Sequence, residues 1–353
     1  MGIRASSTTT VHFDDVKVPD DHVLGEPGMG FKAAMRILNA GRTGLGGGCV
    51  GAMKKLIGLA ARQAKERKQF GRPIADFGLV QQKLGEMVVE AYAAESVVGL
   101  VAGLIDQGYQ DYAVEAAISK VFATEALWRT ADEALQVAGG NGYMREFPYE
   151  RVMRDARINR IFEGTNDILR LFIALTAMDD VGTQLKELGQ GMRGALADPI
   201  KGFGVLSDYA LKHASIRTGL VGEKLEWQLL HPALSDQAEQ FEEETRELAW
   251  VADRVLRRHG RNIVEKQFAL RRIADILIDL FVLASVLSRV SSALEDRGEE
   301  KAVRELELAR VFARRARGRI RGNLRRVDVN DDEFVKSLAS DAVEREGYGW
   351  DLI

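Results

Sequence analysis

Cysteine is almost missing from this sequence of 353 residues; Cys49 stands alone. One thiol excludes an intramolecular disulfide and a zinc site built on cysteines, and it fits a reducing compartment. Histidine is scarce too. The five that occur, His12, His22, His213, His231 and His259, lack metal-ligand spacing such as H-E-x-x-H, so no metal site is expected. The six prolines fall well below the usual share of about 5%, which leaves room for long uninterrupted helices. Neither sign of charge dominates: Lys+Arg 49 against Asp+Glu 52 gives −3, which excludes a globally basic binder of nucleic acid or membrane. Long apolar runs are lacking as well. The most apolar stretch, Ile276 to Leu287, is broken by Asp279 and falls short of the ~20 residues of a membrane span. Met1 to Thr10 has neither the apolar core of a signal peptide nor transit-peptide character, so secretion is not expected.

What is present is enough apolar material for a sizeable core. Hydrophobic residues make up 46% and charged residues 29%, a balance that excludes disorder, and the length suggests two domains of roughly 150 residues each. The first 25 residues differ from the rest. Thr8 to Val18 is β-branched and alternating, then Pro19 and Gly25 punctuate it, which predicts a strand and a turn. No comparable β pattern follows, so this strand looks made for partners outside the sequence.

From Phe31 the period becomes helical: Phe31, Ala34, Met35 and Leu38 share a face, and the spacing resumes from Val50 to Ala60 until Gly71 and Pro73 break it. Further helices are expected from about Leu79 to Asp106, from Asp111 to Val137, and from Thr165, a plausible N-cap with Asp167 in the first turn, to about Met178. Four long helices with short Gly-marked joints predict an antiparallel bundle. The Gly-rich patch after Asp180, with Pro199, marks a boundary. Helices then follow at Pro199 to Ser215, Leu234 to His259, Val264 to Leu294 and Lys301 to Arg326, with an acidic break at Asp328 to Asp332 and a fraying end. The fold class read from this is mainly α: a β remnant over 1–25, a four-helix bundle over 26–180 and a second helical domain over 181–353.

The densest group of special residues is Arg157 to Asp167. Glu163 lies between Phe162 and Gly164 just before a helix start. Partial desolvation by the ring would raise its basicity and suit a general base; the bland reading is a solvated Glu at a capped helix. Glu66 to Gly71 ends a helix with charges, Gln69 and Phe70. Arg67 suits a phosphate and Phe70 a planar ring, whereas complementing the helix dipole explains the charges alone. Gln136 to Gly140 ends a helix either as an ordinary stop or as a place for close approach of a cofactor. Gly46-Gly47-Gly48-Cys49-Val50-Gly51 fits G-x-G-x-x-G, but the segment before it has helical period instead of strand character, so a dinucleotide site is rejected. The Arg-rich stretch Arg304 to Arg326 reads either as an anion-binding face or as a solvated face balancing Glu239 to Glu247.

Taken together and in order, Arg67 to Gly71, Gln136 to Gly142 and Phe162 to Asp167 make the chain resemble the acyl-CoA dehydrogenases. Met1 to Ser6, Val16 to Pro19 and Leu24-Gly25 look like the end of that family's middle β-domain. Phe77 to Gln81 and the long tail beyond Asp180 are similar to its very-long-chain branch. The resemblance implies FAD as cofactor, an acyl-CoA thioester as substrate, and Glu163 as the base that removes the α-proton while the β-hydride goes to flavin. Other branches place the base at the position of Gly41, leaving Glu163 without a rival here. By the same resemblance Arg67, Gln69, Phe70, Gln136, Gly139, Gly140, Thr165, Asn166 and Asp167 match FAD contacts, and Asn39, Arg42, Phe162 and Gly164 match substrate contacts. Some of the flavin contacts reach a neighbouring subunit, which implies a homodimer.

The family's N-terminal helical domain and most of its β-domain have no counterpart in the sequence. The expectation is therefore a fragment, a split-gene half needing a partner chain for flavin, or a misassigned start. Peripheral membrane contact through the C-terminal domain follows from the very-long-chain resemblance. So does a location in bacterial cytoplasm or mitochondrial matrix. The alternatives are a non-catalytic helical module for assembly or membrane contact and, more remotely, nucleic-acid binding through the Arg-rich helix.

Overall fold

The computed structural model describes residues 1–178 and 230–350. Helices dominate it: α1 (Gly30–Glu66), α2 (Gly78–Asp106), α3 (Ala113–Ala138), the single turn α4 (Gly140–Tyr143), α5 (Tyr149–Ile158) and α6 over 166–178. They are followed by α7 (Ser235–His259), α8 (Gln267–Arg297), α9 (Val303–Asp328) and α10 (Asp332–Glu344). The mainly helical expectation holds, and most helix ends fall within a few residues of the Gly and Pro signals. The Gly-rich patch after Asp180 and the helix expected at Pro199 to Ser215 lie outside the described residues.

Three elements depart from the reading. The strand expected at Thr8 to Val18 does not form: this stretch is exposed, and no strand among the described residues pairs with it. A strand needs a ladder partner, and β-branched propensity alone does not supply one. Its start is tethered by Ile3 N–H donating to Asp155 Oδ1 at 2.6 Å and Arg154 Nη1 donating to the Met1 carbonyl at 2.9 Å. Second, the expected breaker at Gly71 and Pro73 is a hairpin: β1 (Lys68–Gln69) pairs antiparallel with β2 (Arg72–Pro73). Phe70 and Gly71 at its tip both have positive φ, 49° and 80°, as a primed two-residue turn requires. Third, α5 and α10 lack the length or strong punctuation that marked the other helices.

The long helix α1 passes through Gly41, Gly44, Gly46, Gly47, Gly48 and Gly51 without a break. Glycine weakens a helix interior, so packing must favour it here. At Gly46 a Cβ would lie 2.9 Å from Val98 Cγ2 and 3.1 Å from Ser119 Oγ; only a bare backbone lets α1 press against α2 and α3. The dinucleotide reading rejected above is absent from the fold for this reason.

One apolar cluster runs from Met53 and Leu56 on α1 through Ala93 and Val97 on α2 to Ile273, Leu283 and Ile320 on α8 and α9. Ion pairs cross the same seam, with Glu95 to Arg289 at 3.0 Å, Glu86 to Arg315 at 3.1 Å and Asp275 to Arg170 at 2.7 Å. The Asp279 that interrupts the apolar stretch is buried and takes a two-pronged contact from Arg319 at 2.6–3.0 Å. Several arginines of α9 are thus committed inside the chain: Arg317 and Arg321 pair with Glu243, and Arg315 and Arg319 with Glu86 and Asp279. That favours the balanced-face reading of the Arg-rich helix.

One expectation about apolar runs needs correcting. Helix α2 is long and apolar enough to cross a membrane, with a mean hydropathy of 1.7 over its best window. Its small side chains (Ala91, Ala93, Ala94, Val97) pack instead into the bundle, against neighbours on several sides. A helix buried on more than one face needs no polar stripe there.

Candidate active site

The site is built where α1, α3 and the turn before α6 meet. The chain leaves α5 through a tight loop in which Phe162 N–H donates to the Ile158 carbonyl and Asn166 N–H to the Arg160 carbonyl, each at 3.1 Å. At its apex Glu163 and Gly164 are both left-handed, φ 59° and 91°. Glutamate there costs on the order of 1–2 kcal/mol. Gly164 is obligatory twice over, since a Cβ would also meet Leu169 Cδ2 at 3.2 Å and Arg42 Nη2 at 3.5 Å.

Two cations hold this elbow by its carbonyls. Arg42 Nε donates to the Glu163 carbonyl at 3.1 Å, and Lys120 Nζ donates to the Gly164 carbonyl at 2.8 Å. Arg42 is buried, and its Nη1 donates to Asn39 Oδ1 at 2.8 Å. Burial lowers the guanidinium from its ordinary value while Glu163 opposes that shift. With the backbone tied inward, the Glu163 side chain lies over α1 at Gly41, where a Cβ would sit 3.2 Å from Oε2. That oxygen is buried and has no hydrogen-bond partner among the described residues. An unsatisfied carboxylate oxygen on a strained backbone is costly twice, and such groups concentrate at functional sites.

The other residues singled out in this loop divide by role. Thr165 is the N-cap of α6, its Oγ1 accepting from Ile168 N–H at 3.3 Å and its carbonyl from Leu169 N–H at 2.9 Å. Asp167 follows, exposed in the first turn, where a carboxylate complements the helix dipole. Asn166 is buried, and its side chain is spent internally. It accepts from Lys120 Nζ at 2.8 Å and donates to Thr124 Oγ1 at 3.0 Å and Glu125 Oε1 at 3.1 Å. Phe162 stands half exposed at the rim.

Sequence reading missed Lys120, Thr124 and Glu125, all on α3. Lys120 is fully buried. Burial and then the neighbouring Arg42 lower its ammonium to about 8, against the pull of Cys49, Glu163 and Glu125. Its signal was available: one cation inside the apolar run Ala116 to Ala123 is an anomaly, because lysine is almost never fully buried unless paired. Cys49 sits alongside, its thiol pushed up by burial to about 12, which leaves it inert.

The second group predicted from sequence is elsewhere. Gln136 lies in the last turn of α3 and Gly139 and Gly140 just past it, about 24–27 Å or more from Lys120 at the rise of an α-helix. Arg67, Gln69 and Phe70 follow the end of α1, about 36 Å along it from Arg42. All six are exposed. Phe70 leaves 92% of its surface to solvent and meets Phe77 edge-on at 6.1 Å. Gly139 adopts φ 61°, ψ −134°, a region open only to glycine. Within one chain these residues therefore form a surface separate from the Glu163 elbow.

The donor chemistry of that surface fits a flavin nucleotide. A free guanidinium at Arg67 suits a phosphate, an uncovered ring at Phe70 suits a planar system, and the Gln69 and Gln136 amides with bare Gly139-Gly140 backbone suit polar ring edges.

Comparison with known proteins bears on the same residues. Residues 28–178 match the family described as acyl-CoA dehydrogenase, C-terminal domain, and residues 232–348 match ACAD9/ACADV, C-terminal domain. The mitochondrial very long-chain specific acyl-CoA dehydrogenase of Rattus norvegicus is 43% identical, over 98% of this chain and 53% of its own length. A probable acyl-CoA dehydrogenase of Bacillus subtilis (strain 168) is 33% identical, over 90% of this chain and 52% of its own. Among solved structures, an acyl-CoA dehydrogenase from Bacillus anthracis complexed with FAD superposes with a TM-score of 0.72 at 30% identity, covering 95% of this chain and 56% of that one. The chain thus spans about half the length of the relatives it matches.

Proposed function

Because the chain belongs to the acyl-CoA dehydrogenase family, we propose that it forms the α-proton-abstracting half of a flavin-dependent enzyme that oxidises the α,β bond of acyl-CoA thioesters, with Glu163 as the base. The observation that carries this reading is the Glu163 carboxylate: half-buried, with Oε2 unpartnered among the described residues, on a left-handed elbow. A base must have a free lone pair aimed at a space the substrate can enter. The cations Arg42 and Lys120 bind the elbow's carbonyls, so the carboxylate stays available.

In the reaction a Glu163 carboxylate oxygen takes the proton from the α-carbon. The C–H electron pair becomes the second bond between the α- and β-carbons. Bound flavin would supply the acceptor for the hydride that leaves the β-carbon. Asn39 and Arg42 orient the substrate on the α1 side, and bare Gly41 leaves room for the reacting carbons beside the carboxylate. Thr165 and Asp167 at the start of α6 present N-terminal amides and polar groups to the cofactor. The distant group at Arg67, Gln69, Phe70, Gln136, Gly139 and Gly140 would serve the flavin of a second subunit, so a homodimer accompanies this reading.

The test supplies the flavin-binding half, in cis or as a partner chain, and follows flavin bleaching anaerobically on mixing with acyl-CoA. Glu163→Gln keeps size and hydrogen bonding but cannot take a proton, so bleaching should slow by at least about 10²- to 10⁴-fold, with acyl-CoA binding retained. A Gln variant that bleaches at the wild-type rate removes Glu163 from the role of base.

A further inference from the structure

The fully buried lysine of α3 touches no reacting atom in the chemistry described above, yet its two hydrogen bonds both end on the elbow that carries Glu163. We propose that Lys120 is a positioning residue: by bonding the Gly164 carbonyl and Asn166 Oδ1 at once, it locks the left-handed Glu163-Gly164 backbone and so fixes where the Glu163 carboxylate stands. The inference rests on Glu163 being the base.

The geometry carries it in three steps. Left-handed backbone at a non-glycine residue reverts unless its surroundings over-determine it. Here the two carbonyls of the elbow point inward to two cations, Arg42 at 3.1 Å and Lys120 at 2.8 Å. Arg42 is anchored in turn by Asn39. Lys120 is anchored by Asn166, which Thr124 and Glu125 fix at 3.0 and 3.1 Å. Asn166 is also the first residue of α6, so one ammonium ties the loop apex to the helix that follows it.

Removing Lys120 takes the donor from the Gly164 carbonyl and leaves the buried Asn166 Oδ1 only the longer contact from Thr124 Oγ1 at 3.4 Å. Burying an ammonium is itself expensive, and a Met or Leu there would fill the same space at far lower cost. A group retained at such a cost does something a filler cannot. The groups that face it are Arg42 and Cys49 from α1, Glu125 from its own helix and Glu163 from the elbow. Among them the Glu163 carboxylate alone has an oxygen left over for a ligand.

Lys120→Met is the informative variant because it keeps length and volume and deletes donor and charge. Two readouts need neither flavin nor substrate. Amide exchange over residues 163–166 should become about 10- to 100-fold faster, while exchange in the α2 and α8 core stays as it was. The backbone carbon-13 shifts of residues 163 and 164 should move off their left-handed values. With the flavin half present, the rate of bleaching should fall at saturating acyl-CoA while the acyl-CoA concentration giving half-saturation holds.

Should Lys120→Met not fold, Asn166→Ala removes one of the two acceptors and should raise exchange at 163–166 in the same direction. A Met variant with wild-type exchange and unmoved backbone shifts at 163 and 164 overturns the proposal; Lys120 is then a space-filler. Normal exchange at 163–166 in Asn166→Ala overturns it as well. A chain that never bleaches flavin, yet shows these exchange and backbone-shift changes, would instead refute the assigned reaction and leave the positioning role in place.

Discussion

Gly41→Ala offers an unusual test, because helix energetics and site geometry push in opposite directions. Gly41 lies well inside α1, where replacing glycine by alanine stabilises a helix by about 0.5–1 kcal/mol. The new Cβ would sit 3.2 Å from Glu163 Oε2, 3.6 Å from Cδ and 3.7 Å from Oε1. The first distance is tighter than an ordinary contact, so the carboxylate must retreat by a few tenths of an ångström. It cannot go far, since its backbone is tied to Arg42 and Lys120. A misplacement near 1 Å costs about 10²-fold in rate, so a displacement of a third of that should cost about 5-fold.

The expected outcome is an equal or slightly higher urea midpoint with an unchanged slope, together with flavin bleaching slowed about 5-fold. Urea unfolding of the chain and anaerobic stopped-flow mixing with acyl-CoA measure the two halves separately. Wild-type bleaching would mean that the carboxylate does not work from above Gly41. A stability loss beyond about 1 kcal/mol would mean that the helix at Gly41 is not free to accept a methyl group.

Two further outcomes test the packing. Arg319→Met should destabilise the chain by about 3 kcal/mol at neutral pH, because it strands the buried Asp279 carboxylate, and the loss should shrink in acid as Asp279 takes a proton; urea unfolding at two pH values checks both. Glu244, buried on α7, has its carboxyl raised by desolvation to about 7. Its folded value therefore exceeds its unfolded one, near 4.3, so the folded state binds the proton more tightly and Glu244 favours folding as pH falls from about 7 to about 4.5. Glu244→Gln should be the more stable protein above pH 7 and should lose that slope on acidification; a slope identical to wild type would refute the assignment.

Most of the helical frame was legible because its signals are local. Helix starts and stops depend on the residues at them, and Gly108, Gly139 and Thr165 end or cap their helices much as their chemistry suggests. Glu163 was legible as a residue beside Phe162 and Gly164, and Arg67 and Gln136 to Gly140 as helix ends with spare donors.

What tertiary structure decided is everything that depends on neighbours distant in sequence. Thr8 to Val18 has strand composition and no strand, since a ladder is a property of two segments. The rejected nucleotide motif of α1 contains Gly46, and only the fold shows that Val98 and Ser119 press on it. Lys120 lies 43 positions before Glu163 along the chain, and only the packing of α3 beneath the elbow makes its ammonium the group that holds Gly164. Proximity in an apolar interior turns an isolated charge into a fixed, directional one. The free oxygen of Glu163 arises the same way, because burial removes water and the described residues supply no donor in its place.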